Sequence, residues 1–440
     1  MSHKIALLSE HASPLATIGG IDAGGQNIAV AELALHLAKL GHQVDVFTRW
    51  YDASQPQVIE WQTGVRVIHI QAGPVASIPK EELMPHMDEF AQRMIHFFKQ
   101  QTRPYSLVHA HFFMSGYVAC QIKQQLEIPF VVTFHALGKV RKRYQADSDR
   151  FPEDRDAIEQ CVIQQANATI ALCPQDREDL IQLYQVTPAQ ITLIPNGFNH
   201  QQFYPVDKAL ARLLIGCETT EPILLQLGRL VPRKGVDNVV QSLATLHREY
   251  GIRARLLIVG GDSTQPDPTL TPEIGRLMEL ARQIGVEQWV TFTGSRNRDD
   301  LRYYYSAADV FVTTPWYEPF GITPLEAMAC GTPVVGSAVG GIKHTVLDNE
   351  TGFLVPPNQP KALAAKLAAL LFNRKLRLLL GNQAVSHVQA NYTWQRVAEL
   401  TAVLYEQILA WALPTTYPST LSPIATLKPA ATSRTVAIKE

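Results

Sequence analysis

Residues 222–235 read PILLQLGRLVPRKG and show the pattern that decides the fold. An apolar run without polar alternation ends at Gly228, and a turn that contains a proline then leads into a helix. Such a run is typical of a parallel strand that helices cover on both faces. The same order of short apolar strand and longer amphipathic stretch recurs along nearly the whole chain. This recurrence predicts parallel sheets with right-handed crossovers.

The predicted strands form two series, because the sequence between Asn196 and Pro222 interrupts the alternation. At 440 residues the chain also exceeds what one hydrophobic core usually organises. We therefore predict an α/β protein with two Rossmann-like, doubly wound domains that face each other across a cleft. The first series comprises Lys4–Leu8, Gln43–Thr48, Val65–Ile70, Ser106–Ala110, Pro129–Thr133, Ala168–Leu172 and Gln190–Ile194. The second comprises Pro222–Leu227, Ala254–Val259, Trp289–Thr293, Asp309–Thr313 and Thr332–Gly336.

Local composition suggests where the domains begin and end. The turn at Pro195-Asn196-Gly197 ends a first domain at residues 1–200, and a second domain follows at residues 201–385. Residues 386–412 contain a last helix, whose apolar stripe must pack against another element. Residues 413–440 are rich in Pro, Thr, Ser and Ala, so we predict a disordered tail there.

The bulk composition is that of a globular protein, with 46% hydrophobic and 18% charged residues. A formal net charge of -1 argues against a nucleic-acid binder. The apolar run at Ile5–Leu8 is too short for an export signal, and no run approaches the roughly 20 residues that span a bilayer. The cysteines show no metal-ligand or redox spacing. We expect a cytoplasmic protein, with peripheral membrane contact and the oligomeric state left open.

The loop at Gly19–Gln26 lies between the first predicted strand and the first helix. Its glycines let a ligand approach the backbone, and the following helix offers unpaired N–H groups to an anion. A plain tight turn is the alternative. The loop lacks the Gly-x-Gly-x-x-Gly spacing of dinucleotide-binding enzymes, which argues against a dehydrogenase.

The corresponding loop of the second domain carries Arg229 and Lys234, five residues apart around a proline turn. Arginine presents a planar fork to phosphate oxygens and lysine acts as a point charge, so the pair suits a diphosphate. Two solvated surface charges are the alternative. A third loop carries Glu318, and the apolar helix after it carries Glu326. A carboxylate among apolar residues needs a partner, which would be ligand hydroxyls or a structural arginine.

His135, after the strand predicted at 129–133, is the remaining candidate and is either structural or part of the same cleft. In order and spacing these segments resemble the retaining glycosyltransferases of the GT-B fold, the glycosyl transferases group 1. That family includes sucrose-phosphate synthases, sucrose synthases and the inositol-phosphate N-acetylglucosaminyltransferase of mycothiol synthesis. The segments that carry the resemblance are Glu318-x7-Glu326, Gly228-Arg229…Lys234-Gly235, Pro195-Asn196-Gly197 and Asp22-Ala-Gly-Gly-Gln26.

The resemblance implies a hexosyltransferase whose donor substrate is a nucleotide-diphosphate sugar, UDP-linked, with no cofactor. No metal is implied, because two cations take the place of Mg²⁺ at the leaving group. It also implies that the last helix crosses back to the first domain, which lies on the acceptor side. The implied catalytic residues are His135, Arg229, Lys234 and Glu318. The further donor-binding residues implied are Gly24, Gly25, Gly228, Gly294, Arg296, Phe320, Gly321, Ile322 and Glu326.

For the acceptor, the resemblance implies a small sugar, sugar phosphate or polyol. Cations of the first domain would hold its phosphate, and the candidates are Lys80, Lys139, Arg141 and Arg155, with a solvated loop face as the alternative. The chain departs from its relatives at Phe112 and Ala136, and the latter removes a hydroxyl partner for that phosphate. Two other functions stay open: a transferase for a lipid or polysaccharide acceptor, and a non-catalytic sugar-nucleotide-binding module.

Overall fold

A computed structural model describes residues 2–16, 24–145 and 150–412 of the chain. The predicted tail at 413–440 and the loop residues Gly19–Ala23 lie outside the described residues. Across the described ranges, no helix combines the length and the apolar character needed to cross a membrane.

The first domain is built on an eight-stranded sheet with the order β3-β4-β2-β1-β5-β6-β7-β8. All neighbouring strands are parallel except β3, which pairs antiparallel with β4 at the edge. The strands are β1 (Lys4–Leu8), β2 (Gln43–Arg49), β3 (Val58–Gln62), β4 (Val65–Ile70), β5 (Leu107–His111), β6 (Phe130–Thr133), β7 (Ala168–Ala171) and β8 (Ile191–Leu193). The helices are α1 (Gly25–Lys39), α2 (Met87–Lys99), α3 (Phe113–Leu126), α4 (Gly138–Gln145), α5 (Arg155–Gln165) and α6 (Pro174–Tyr184).

The second domain is built on a six-stranded parallel sheet with the order β11-β10-β9-β12-β13-β14. Its strands are β9 (Ile223–Leu227), β10 (Arg255–Val259), β11 (Val290–Gly294), β12 (Val310–Thr313), β13 (Val334–Ser337) and β14 (Gly352–Val355). Its helices are α7 (Lys208–Leu214), α8 (Val236–Glu249), α9 (Pro272–Gln283), α10 (Leu301–Ala307), α11 (Ile322–Ala329), α12 (Ile342–Thr345), α13 (Pro360–Phe372) and α14 (Arg374–Asn391). The last helix of the described residues, α15 (Trp394–Ala412), follows.

Burial explains why the central strands form where the apolar runs predict them. Every residue of β1, β5 and β9 is buried, as strands with helices on both faces must be. All the predicted strands form, with ends shifted by at most two residues. The prediction of two Rossmann-like α/β domains is confirmed.

The two strands that the sequence reading missed, β3 and β14, lie at sheet edges. Residues of β3 alternate between exposed and half-buried, so this strand lacks the continuous apolar run of the interior strands. Strand β14 has only four residues and starts at a glycine, whose missing side chain lets the backbone lie against Val334 of β13.

Helices α14 and α15 connect the two domains. Helix α14 packs on α11 of the second domain, and α15 packs on α1 of the first. Between these helices the chain touches the interdomain linker, where the Phe198 N–H donates to the Tyr392 carbonyl at 2.8 Å. The helix that crosses to the first domain therefore begins at Trp394, and residues 386–391 belong to α14 rather than to the crossing segment of 386–412.

Candidate active site

The strand order reverses once in each sheet, between β1 and β5 and between β9 and β12. Ligands of open α/β sheets bind at such switch points, outside the carboxyl ends of the strands. Two joined cavities lie there between the domains. The first, of about 320 Å³, lies mainly against the second domain, and we call it the donor cavity after the predicted donor-binding residues that line it. The second, of about 180 Å³, lies mainly against the first domain, and we call it the acceptor cavity after the predicted acceptor cations that line it.

The loop after β9 packs closely against the backbone at the end of β12, and this packing places the cations of the loop in the donor cavity. Gly235 has φ 62°, and a Cβ there would overlap the carbonyl oxygen of Thr314 at the end of β12. Only glycine tolerates both conditions. The close approach sets Lys234 beside Glu318 in the loop after β12, and Arg229 and Gly228 line the same cavity.

Lys234 and Glu318 form an ion pair inside the cleft, with Arg233 3.6 Å from the same carboxylate oxygen. Burial acts to raise the pKa of Glu318, but the positive charges of Lys234, Arg233 and Arg229 outweigh it and lower that pKa. Burial lowers the pKa of Lys234 despite the opposing charge of Glu318. The carboxylate therefore stays charged at neutral pH and holds the ammonium in place.

Glu326 is 1% exposed on α11 and lines the donor cavity. One of its oxygens accepts from Arg298 at 2.6 Å and the other accepts from the Tyr305 hydroxyl at 2.9 Å. The structural arginine considered as an alternative partner is thus present. Each oxygen has a second lone pair, so this pairing orients the carboxylate without using up its capacity to accept.

Arg298 itself was missed by the sequence reading. It lines the donor cavity, and its guanidinium lies 4.9 Å from the centre of the Phe203 ring. The sequence could have identified Arg298 as a candidate, because it follows β11 by four residues and shares a loop with Arg296. The turn at Gly260-Gly261-Asp262 after β10 also lines the donor cavity and was not predicted. Its glycine pair lies between a strand and a helix, as the Gly24-Gly25 pair does, so the same sequence feature could have identified it.

Arg296 lines the donor cavity and donates to the Tyr304 hydroxyl and the Thr264 carbonyl, both at 2.8 Å. Gly294 does not line the cavity. It has φ 77°, and a Cβ on it would lie 2.6 Å from the Thr264 carbonyl oxygen. Gly294 therefore lets the loops after β10 and β11 pack together, and its neighbour Ser295 is the residue that meets the cavity.

On the opposite wall, Gly24 and Gly25 start α1 and line both cavities. Asn27 fastens this turn, because its Oδ1 accepts from the Gly24 N–H and its Nδ2 donates to the Ser13 carbonyl, each at 2.9 Å. A Cβ on Gly25 would lie only 3.6 Å from Ile322 Cδ1, so the domains approach closely here. Unpaired N–H groups at the start of a helix are in general able to bind an anion.

The turn before α11 contributes to both cavities. Gly321 and Ile322 line the donor and acceptor cavities alike, whereas Phe320 lines only the acceptor cavity. His135 lines the acceptor cavity with a left-handed backbone, φ 58°. Burial, with the nearby His11 as a lesser cause, lowers the pKa of His135 to about 3, so its ring is neutral. Among the described residues, no group of three or more His, Cys, Asp or Glu side chains is placed to hold a metal ion.

The structure brings only two of the four acceptor-side cations to the acceptor cavity, namely Lys80 and Arg141. Lys139 points away, since its Nζ donates to the Leu183 carbonyl at 2.7 Å and lies over the Tyr184 ring.

Arg155 is 0% exposed and does not line either cavity. Its Nε donates to Glu159 at 2.8 Å, and its guanidinium lies within 4.9 Å of the ring centres of Phe112, Phe113 and Phe151. Predicting a phosphate contact for Arg155 overlooked its neighbour one helical turn later, because Glu159 neutralises the arginine inside the domain.

Comparison with known proteins agrees with this architecture. Residues 23–202 match the model of Glycosyltransferase Family 4, and residues 215–387 match that of Glycosyl transferases group 1. The D-inositol 3-phosphate glycosyltransferase of Kineococcus radiotolerans is 36% identical, over 92% of this chain and 95% of its own length. The structure of sucrose-phosphate synthase from Thermosynechococcus elongatus is 37% identical with a TM-score of 0.84, covering 93% of this chain and 100% of that one.

Anabaena Alr3699/HepE, solved in complex with UDP and glucose, is 19% identical with a TM-score of 0.71 and covers 92% of this chain and 100% of its own, which shows the shared fold. The two matched regions cover the two sheets apart from β1, and the relative from Kineococcus extends over nearly the whole molecule. The chain therefore belongs to the group 1 glycosyltransferases of the GT-B fold.

Proposed function

We propose that this glycosyltransferase moves a hexosyl group from a UDP-linked sugar to a small sugar or polyol acceptor, with retention of the donor's α configuration. The observation that carries the proposal is the junction of the two cavities. The lining residues that they share are Gly24, Gly25, Arg229, Arg233, Glu318, Gly321 and Ile322. A donor bound on one side and an acceptor bound on the other would meet where these residues lie.

The donor diphosphate would lie against Arg229 and Lys234, with the start of α1 opposite. Two fixed cations in a partly buried cleft can neutralise the charge that grows on the diphosphate as the glycosidic bond breaks. We propose that they serve in place of a metal ion. Glu318, which Lys234 and Arg233 hold ionised, would accept hydrogen bonds from the hydroxyls of the donor sugar.

Glu326 would accept hydrogen bonds from the ribose hydroxyls, because Arg298 and Tyr305 orient its carboxylate toward the cavity that it lines. The nucleotide base would lie near Arg296. The neutral ring of His135 would contact the donor sugar from the acceptor side. UDP-glucose is the first donor to test, because UDP and glucose are the ligands in the Anabaena Alr3699/HepE complex, a protein of the same fold.

For the acceptor, we propose a small molecule that carries a phosphate or a similar anion. Lys80 and Arg141 line the acceptor cavity and would bind this group. These two cations are fewer than the four that the sequence suggested, because Lys139 and Arg155 form their contacts within the domain. The absence of a hydroxyl at Ala136 leaves these cations as the main contacts.

The test has two stages. First, the purified protein is incubated with UDP-glucose, UDP-N-acetylglucosamine and GDP-mannose in EDTA, and the released nucleotide is measured. Second, sugars and polyols are supplied both free and as phosphate esters, and the first product is examined by proton NMR. We expect turnover of a UDP sugar and an α linkage on a phosphorylated acceptor. A β linkage would refute retention, and equal use of a free polyol and its phosphate ester would refute the anionic acceptor.

A further inference from the structure

Three histidine rings form a column behind the acceptor cavity. His109 and His111 are two residues apart on β5 and therefore lie on the same face of the sheet. Their ring centres are 4.1 Å apart, and the His111 ring stacks in turn on that of His135 at 5.2 Å. His111 Nδ1 and His135 Nε2 lie 2.9 Å apart and share a hydrogen bond. His135 is the member of the column that lines the acceptor cavity.

The inner end of the column is held by α15. The Tyr405 hydroxyl lies 2.7 Å from His109 Nδ1, and the Thr133 hydroxyl lies 2.9 Å from His109 Nε2. Burial lowers the pKa of His109 to about 3 and holds that of His111 well below its ordinary value. Neutral imidazoles carry one proton each, so the direction of every hydrogen bond in the column depends on which nitrogen holds it.

Two buried nitrogens beside the column have no hydrogen-bond partner within the described part of the chain. They are His111 Nε2 and Trp394 Nε1, and each belongs to a side chain that is 1% exposed. Both residues line a cavity of about 20 Å³ between β5 and the first turn of α15. A buried water needs roughly 10–15 Å³ and two to four polar partners, so the cavity has the size and the chemistry for one.

We propose that one structural water binds in this cavity between Trp394 and His111 and thereby sets the tautomer of His135. An indole nitrogen can only donate, so the water oxygen accepts from Trp394 Nε1–H. The water then donates to the bare Nε2 of His111. His111 accordingly carries its proton on Nδ1 and donates it to Nε2 of His135. His135 is left with its own proton on Nδ1, and its Nε2 is not available as a base.

In this arrangement Trp394 and His111 are positioning residues, since neither lines the donor or the acceptor cavity and both act through His135. The water connects the crossing helix to a ring in the cleft. The link to catalysis rests on the proposed function, because it requires that His135 takes part in transfer. The tautomer itself does not depend on that function.

The direct test uses the full-length protein labelled with ¹⁵N-histidine, and spectra that correlate the ring nitrogens with the ring carbon-bound protons. Loss of one signal set in His135→Asn and in His111→Asn assigns the two rings. We expect both rings to carry their proton on Nδ1, and the Trp394 indole N–H to show a nuclear Overhauser contact with a long-lived water. A proton on Nε2 of His135, or an indole N–H without a water contact, would overturn the proposal.

A kinetic test separates positioning from simple structural support. Trp394→Phe keeps a ring but removes the N–H, so His135 should populate both tautomers and kcat should fall roughly tenfold with the donor KM unchanged. Trp289→Phe, at a half-buried tryptophan of the second domain outside both cavities, is the matched control and should leave kcat unchanged.

Unchanged kcat and an unchanged His135 tautomer in folded Trp394→Phe would contradict the proposal. If no sugar nucleotide is turned over, the proposed function fails, and the NMR experiment still decides the tautomer.

Discussion

Replacing Lys234 with alanine removes the ammonium that pairs with Glu318 and lines the donor cavity. Loss of one preorganised charge that stabilises a leaving group typically costs 100- to 1,000-fold in kcat, or about 2.7–4 kcal/mol. We expect a fall in kcat of this size. The donor KM should change less, because Arg229 and Arg233 still line the cavity.

The same substitution should lower the free energy of unfolding. Burial opposes the charge of both partners, so the intact pair contributes little net stability, but a lone buried charge is costly. Breaking such a pair costs about 3–5 kcal/mol, and we expect about 3 kcal/mol or less because Arg233 remains 3.6 Å from Glu318. Since the pKa of Glu318 is lowered in the folded protein, the loss of stability in the variant should be present above the ordinary glutamate pKa and disappear as the pH falls below about 4.

Both effects are measured with UDP-glucose turnover and thermal unfolding. Lys366→Ala is the matched control, because this lysine of α13 lies over the Phe353 ring outside both cavities and should leave kcat unchanged. The double variant with Glu318→Gln removes the uncompensated charge and should regain thermal stability without regaining activity. A Lys234→Ala enzyme within about threefold of the wild-type kcat would refute the assigned role. A double variant that regains activity would show that Lys234 serves only to neutralise Glu318.

Three further outcomes are expected. Deleting residues from Leu413 onward should leave kcat and the melting temperature unchanged, whereas ending the chain at Tyr392 removes α15 and should abolish folding or activity, as judged by circular dichroism and turnover. Lys80→Ala should raise the acceptor KM at least tenfold without changing acceptor-independent donor hydrolysis, whereas Lys139→Ala should leave the acceptor KM unchanged because Lys139 points away from the cavity. Gly235→Ala should lower the free energy of unfolding by more than about 1 kcal/mol and reduce kcat, since its φ of 62° and the adjacent strand-end carbonyl exclude a side chain.

The sheets were predictable because their signal is local. A strand that helices cover on both faces is buried throughout and apolar at most positions, so the runs that became β1, β5 and β9 are readable without knowledge of their neighbours. The edge strands β3 and β14 carry no such continuous run, and only pairing with β4 and β13 makes them strands. The loops that line the cleft were predictable for the same reason, since each follows a recognisable strand.

The partners of the charged side chains were not predictable in this way. The residue type of Glu326 suggested a ligand contact, and its sequence position does not reveal that Arg298 lies within hydrogen-bond distance. Arg155 is the exception, because Glu159 lies one helical turn later and their pairing is readable from the sequence. The identity of Tyr405 likewise says nothing of its contact with His109, which lies 296 residues earlier in the chain.

The sequence by itself therefore determined two α/β domains, the strand ends that meet at the cleft, and the chemical types of the residues there. Only the tertiary structure decided which cations face the cavities, which carboxylates already have protein partners, and how α15 reaches the histidine column. The physical reason is how far apart along the chain the interacting residues lie. Backbone conformation and burial depend on neighbouring residues and their periodicity, whereas an ion pair or hydrogen bond depends on a few ångströms of separation between residues that the chain brings together from far apart.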